Sequence, residues 1–126
     1  MANKEYCVEV TAESSYVEER SNVAADVYVF SYRIRLTNSG TKTAQLISRH
    51  WFITEADGKV QEVRGMGVVG ENPRLEPGQS YEYSSWSQIG TPFGTMKGSY
   101  QMLADDGQRF EAEIPEFQLV APRVLH

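Results

Sequence analysis

A strict two-residue period across residues 26–38 constrains this chain more than any other feature. Tyr28, Phe30, Tyr32, Ile34 and Leu36 fall on even positions, while Ser31, Arg33, Arg35 and Thr37 fall on odd ones. Successive side chains of an extended strand point to opposite faces, so the segment reads as a strand with one apolar and one wet face. A helix would scatter both sets around its axis. Asn38-Ser39-Gly40 then supplies a turn. The same period recurs in Tyr6–Val10, at Tyr81 and Tyr83, and in two segments around the Asp105-Asp106-Gly107 turn, Ser99–Ala104 and Arg109–Ile114. Tyr100, Met102, Phe110, Ala112 and Ile114 are the core candidates of that second hairpin. Asp57-Gly58 marks another hairpin, leading into Lys59–Val63, and Leu75-Glu76-Pro77-Gly78 marks a turn.

About seven short strands spaced by turn signals describe an all-β fold, an immunoglobulin or fibronectin type III-like two-sheet antiparallel β-sandwich. Tight consecutive hairpins exclude a parallel α/β sheet. Residues 44–55 form a third strand that is apolar on both faces, with Leu46 and Phe52 on one and Ile47, Trp51 and Ile53 on the other. Such a strand is either central or bulged. The Gly-, Ser- and Thr-rich stretch 84–98, which contains Pro92, is expected as an exposed loop. The terminal segment bracketed by Pro115 and Pro122 is expected at a sheet edge, guarded by those prolines and by Glu111 and Glu113.

The 126 residues fit a single domain spanning 1–126, large enough to fold without a disulfide or metal staple. A net charge of −5 with no basic cluster argues against nucleic-acid binding. No apolar run approaches the roughly 20 residues a membrane span needs. The polar N-terminus carries no secretory signal, and Cys7 is the lone cysteine, so a cytoplasmic setting is expected.

The residues offer little for chemistry. Gly65-Met66-Gly67-Val68-Val69-Gly70 matches the phosphate-cradling pattern G-x-G-x-x-G, which works when a helix follows it. Pro73 and Pro77 fall where that helix would begin, so a structural glycine loop is favoured over anion binding by Gly65, Gly67 and Gly70. His50 and His126 lack metal-ligand spacing, and His50 is expected to pack beside Trp51. Ser84, Ser85 and Ser87 lack a nucleophile elbow, and Asp105 and Asp106 at a hairpin tip are expected to be hydrated, with ordinary acidities. No catalytic residue, metal site or cofactor is assigned. Arg33 and Arg35 project from the wet face of the longest strand, with Arg49 as a third candidate near them. They form either an ion-paired surface or a patch for an acidic partner. Trp86, Ile89 and Phe93 are expected at a loop tip, either as contact hot spots or folded back as a cap.

Four segments arrive in a familiar order: Ser48-Arg49-His50-Trp51, residues 61–71, residues 95–102 and Pro122-Arg123-Val124-Leu125-His126. Together they resemble the ApaG family of small bacterial proteins. The resemblance implies a fibronectin type III-like sandwich, a genetic association with cobalt tolerance and magnesium efflux, no established enzymatic activity, and interaction modules as eukaryotic relatives. The family pattern places Glu where this chain has Met66. The resulting expectation is a non-catalytic protein-interaction module, monomeric or homodimeric, that uses Trp86, Phe93, Arg33 and Arg35. The alternative is a small-anion, nucleotide or divalent-cation binder that uses the Gly65–Gly70 loop.

Overall fold

The computed structural model describes residues 5–122; His126 and the rest of the Pro122–His126 segment beyond Pro122 lie outside them. Eight strands follow one another: β1 (Val8–Tyr16), β2 (Tyr28–Asn38), β3 (Ala44–Glu55), β4 (Val60–Met66), β5 (Arg74–Leu75), β6 (Ser80–Ile89), β7 (Phe93–Ala104) and β8 (Arg109–Val120). Two 3-10 turns, Glu18–Arg20 and Val23–Ala25, lie between β1 and β2. One sheet has the order β1-β2-β6 and the other β4-β3-β7-β8, with β5 paired to the start of β3. All pairings are antiparallel. The two-sheet all-β architecture is the one the alternation implied. The two-residue β5 is too short to carry a readable period.

The apolar stripe of β2 behaves as its period demands. Phe30, Ile34 and Leu36 are fully buried between the sheets, against Leu46, Met96, Tyr100, Met102 and Ile114 from the second sheet. Each such side chain contributes on the order of 2 kcal/mol of burial free energy. Trp51 sits at the centre of an aromatic cluster, 5.4 Å from Tyr32, 6.0 Å from Phe117 and edge-on to Tyr100.

Strand β3 is both central and bulged. Its register shifts between Leu46 and Ser48, leaving Ile47 as the extra residue. The bulge changes the parity of the strand, so Ala44 and Leu46 point into the core before it and Trp51 and Ile53 after it. The expected grouping of Leu46 with Phe52 is therefore corrected: Leu46 shares the core face with Trp51. A second bulge sets Pro115 and Glu116 of β8 against Lys97 of β7, where proline's missing N–H leaves no gap in the ladder. Strand β8 is the sheet edge expected for this segment.

The stretch 84–98 is not a loop. It forms the second half of β6 and the first half of β7, joined by Gly90, Thr91 and Pro92. The glycines that suggested flexibility answer to close backbone approach: a Cβ at Gly98 would lie 2.1 Å from the His50 carbonyl oxygen, and one at Gly94 would lie 2.8 Å from that of Thr54. The core-facing positions of β6 run Tyr81, Tyr83, Ser85, Ser87 and Ile89, of which Tyr83, Ser87 and Ile89 are buried. Ile89 belongs to the core and not to a loop tip.

The two flanks of the sandwich differ. Strand β1 lies against β8, where the Ser14 hydroxyl donates to the Gln118 carbonyl at 2.6 Å. On the other flank β6 and β4 share no ladder, and a cleft of about 550 Å³ opens between the sheets.

Candidate functional site

The outer face of the three-stranded sheet is built in rows. Antiparallel register sets Thr11, Arg35 and Glu82 side by side, then Glu13, Arg33 and Ser84, then Ser15, Ser31 and Trp86. Cross-strand neighbours on one face stand close enough to pair, and both arginines do so. Arg33 donates to Glu13, and Arg35 donates to Glu82 at 3.2 Å. These exposed pairs set surface geometry and contribute little stability. In the third row the two neighbours are serines, so the Trp86 indole stands above low terrain. It is 55% exposed, with the Arg20 guanidinium 5.5 Å from its ring centroid. Trp86 therefore rides on a strand, its backbone set in register with Ser31 of β2, and neither expected loop conformation applies.

Three of the four expected partner-binding residues share this face: Arg33, Arg35 and Trp86. Phe93 does not. It begins β7 opposite Val120, on the outside of the other sheet, where both side chains are exposed. Arg49 is likewise separated from Arg33 and Arg35. It belongs to β3, across the sandwich.

The glycine motif is a strand end followed by a tight turn, with no helix after Gly70. Val68 is buried and forms a bridge with Glu71, each amide donating to the other's carbonyl at 2.8 Å. Val69 and Gly70 between them have φ of 43° and 81°, the positive pair of a type I′ turn. Gly67 has φ of 63° and lies so close to Glu71 that a Cβ would meet its carbonyl oxygen at 2.5 Å. Gly65 leaves room for the Arg49 guanidinium, which a Cβ would touch at 2.7 Å. Arg49 Nη1 donates to the Met66 and Gly67 carbonyls at 3.0 and 2.8 Å. The Gly67, Val68 and Glu71 amides all donate within the protein and so are not free for a bound phosphate. Met66 is 71% exposed at this corner.

The remaining candidates have structural partners. His50 Nε2 bonds Glu62 at 2.6 Å, and its ring lies 4.5 Å from Phe52 on the outer face, away from Trp51. The Arg64 guanidinium, with help from His50, holds the Glu62 carboxyl below its usual range. The Cys7 thiol accepts from the Ser39 hydroxyl at 3.1 Å. Asp105 pairs with Arg74, and Asp106 accepts from the Tyr6 phenol. That phenol holds the Asp106 carboxyl below its usual titration range, where an ordinary one was expected. The shift is opposite to what a general acid needs. Among the described residues no group of three or more His, Cys, Asp or Glu is placed to hold a metal, and no helix is long and apolar enough to cross a membrane.

One feature escaped the sequence. The cleft between β6 and β4 gathers Arg49, Trp51, Gln61, Ser87 and Gln88 from strands distant in the chain. No local spacing could have announced it.

Comparison with known proteins agrees with the fold and the motif order. The family model for the ApaG domain matches residues 18–104. Protein ApaG of Chromobacterium violaceum is 68% identical over 126 residues, covering 100% of both chains. Protein ApaG of Thiobacillus denitrificans is 57% identical over 123 residues, covering 98% of this chain and 97% of that one. A crystal structure of a Bordetella pertussis protein described as ApaA superposes with a TM-score of 0.92 at 46% identity, covering 98% of this chain and 100% of that one. The chain belongs to the ApaG family.

Proposed function

We propose that this protein is a non-catalytic interaction module of the cytoplasm that docks a protein partner on the outer face of its β1-β2-β6 sheet. The observation that carries this reading is Trp86. A large indole more than half exposed in the middle of a rigid strand, flanked by serines and by the Arg33–Glu13 and Arg35–Glu82 pairs, has the composition of an interface anchor. Burying one such ring releases water from a large amphipathic surface without ordering a flexible loop. The charged rows beside it suit a rim that sets orientation and partner choice. The link of the family to cobalt tolerance and magnesium efflux is read as acting through that partner, since the nitrogen of His50 that faces Glu62 is already committed.

The test is affinity capture from native lysate with the wild-type chain, Trp86→Ala and Arg33→Glu. A specific partner retained by the wild type and lost by Trp86→Ala supports the reading. No partner, or capture indifferent to both substitutions, overturns it.

A further inference from the structure

The open flank between β6 and β4 holds more hydrogen-bond donors than the sandwich uses. Among the described residues, two buried side-chain polar atoms have no protein partner: Trp51 Nε1 and Ser87 Oγ. Trp51 is 2% exposed and Ser87 9%. Both line the same cleft. A buried donor left unpaired keeps its full desolvation penalty, so native structures hold few of them, and two facing one cavity indicate a shared acceptor.

Arg49 lines that cleft as well. Both of its bonds to the glycine corner come from Nη1, which leaves Nε and Nη2 without a protein acceptor among the described residues. Arg33, Arg35, Arg64 and Arg74 each have a carboxylate; Arg49 has none among the described residues. It is nevertheless half-buried, and its charge reaches the phenols of Tyr32, Tyr83 and Tyr100 inside the sandwich. A guanidinium partly withdrawn from water favours an anion strongly. No Asp or Glu lines the cleft to supply one, whereas Ile53, Val63 and Met96 give it an apolar wall.

We propose that this inter-sheet cleft binds a small organic anion, its carboxylate or phosphate held by Arg49 and the Trp51 indole N–H, with Ser87 donating alongside. The volume of about 550 Å³ falls in the range of small-molecule sites, and the apolar wall fits a short hydrocarbon or aromatic body. The site lies between the sheets, apart from the Val69-Gly70 turn of the glycine motif, and adjoins the docking face at Trp86, which also lines the cleft. Its donors come from both sheets, so an occupant would tie β3 to β6 across the flank that no ladder closes.

The test is a titration of the full-length ¹⁵N-labelled chain, followed at the Trp51 indole N–H, with benzoate, phenyl phosphate, inorganic phosphate and neutral benzamide as probes. A saturable shift with an anion and none with benzamide is expected. The probe that saturates lowest distinguishes carboxylate from phosphate, and inorganic phosphate separates a free ion from an organic one. Arg49→Gln should weaken binding roughly tenfold, the loss expected for a charge-assisted contact. Because Arg49 also braces the glycine corner, Ser87→Ala serves as a second variant and should weaken binding about threefold, as expected for loss of one neutral hydrogen bond. The proposal is overturned if the indole N–H answers no anion at tens of millimolar, answers benzamide equally, or binds with unchanged affinity in both variants. A site that holds only water would give the first of these results.

Discussion

Asn38 joins three segments with one buried side chain. It is 1% exposed, its Nδ2 donates to the Lys42 and Leu75 carbonyls at 2.9 Å, and its Oδ1 accepts from the Gly40 amide at 2.9 Å. Asn38→Ala should cost about 2–3 kcal/mol in urea denaturation, because two buried carbonyls and an amide lose their partner together; a cost below about 1 kcal/mol would contradict this role. At the glycine corner, Gly67→Ala should cost about 2 kcal/mol or more, combining positive φ with a clash against the Glu71 carbonyl. Val69 is the reverse case, a β-branched residue in a left-handed turn position. Val69→Asn should raise stability by about 1 kcal/mol in the same assay, since type I′ turns prefer Asn-Gly. Residues of this kind were only half legible. Asn38 continues the even stripe of β2, yet its type signals a turn, and its partner Leu75 is 37 positions away.

Elements were read best where one face alone is buried. Strand β2 alternates along most of its length, so its core face and its end at Asn38 follow from the period. It begins at Tyr28 and not at residue 26, where Asp26 takes a left-handed conformation. Strand β3 has neighbours on both sides and a bulge at Ile47, and either feature blurs alternation. The stretch through β6 and β7 misled because serine and glycine usually mark loops; here serines line the inter-sheet cleft and glycines admit a neighbouring backbone. The segment before β1 is pinned to the β7–β8 hairpin tip by the Tyr6–Asp106 bond, alongside a ring contact of Tyr6 with Phe110 at 5.8 Å. That bond raises the Tyr6 phenol to about 12 and lowers the Asp106 carboxyl. A carboxyl depressed in the folded state contributes stability above its ordinary range and loses it as pH falls through the depressed value. Tyr6→Phe should therefore return Asp106 toward the usual carboxylate range in a ¹³C carboxyl NMR titration and flatten the acid limb of stability against pH. An unmoved Asp106 would show that the turn amide of Gln108 alone sets its acidity.

Across the whole molecule, two sheets share one core but present unlike surfaces. The outer face of β1-β2-β6 carries paired charges in rows and the raised Trp86; one flank is closed by β1 against β8, and the other opens onto unpaired donors. The sandwich was legible because antiparallel sheets facing water on one side write their geometry into a period of two. The cleft was not, because it depends on which strand edges meet in space. The most direct measurement of the docking claim is the amide footprint of the captured partner on the ¹⁵N-labelled chain. Perturbations centred on Trp86 and spreading through Ser31, Arg33 and Glu13 are predicted. A footprint confined to the outer face of β4-β3-β7-β8, around Phe93 and Val120, would contradict it.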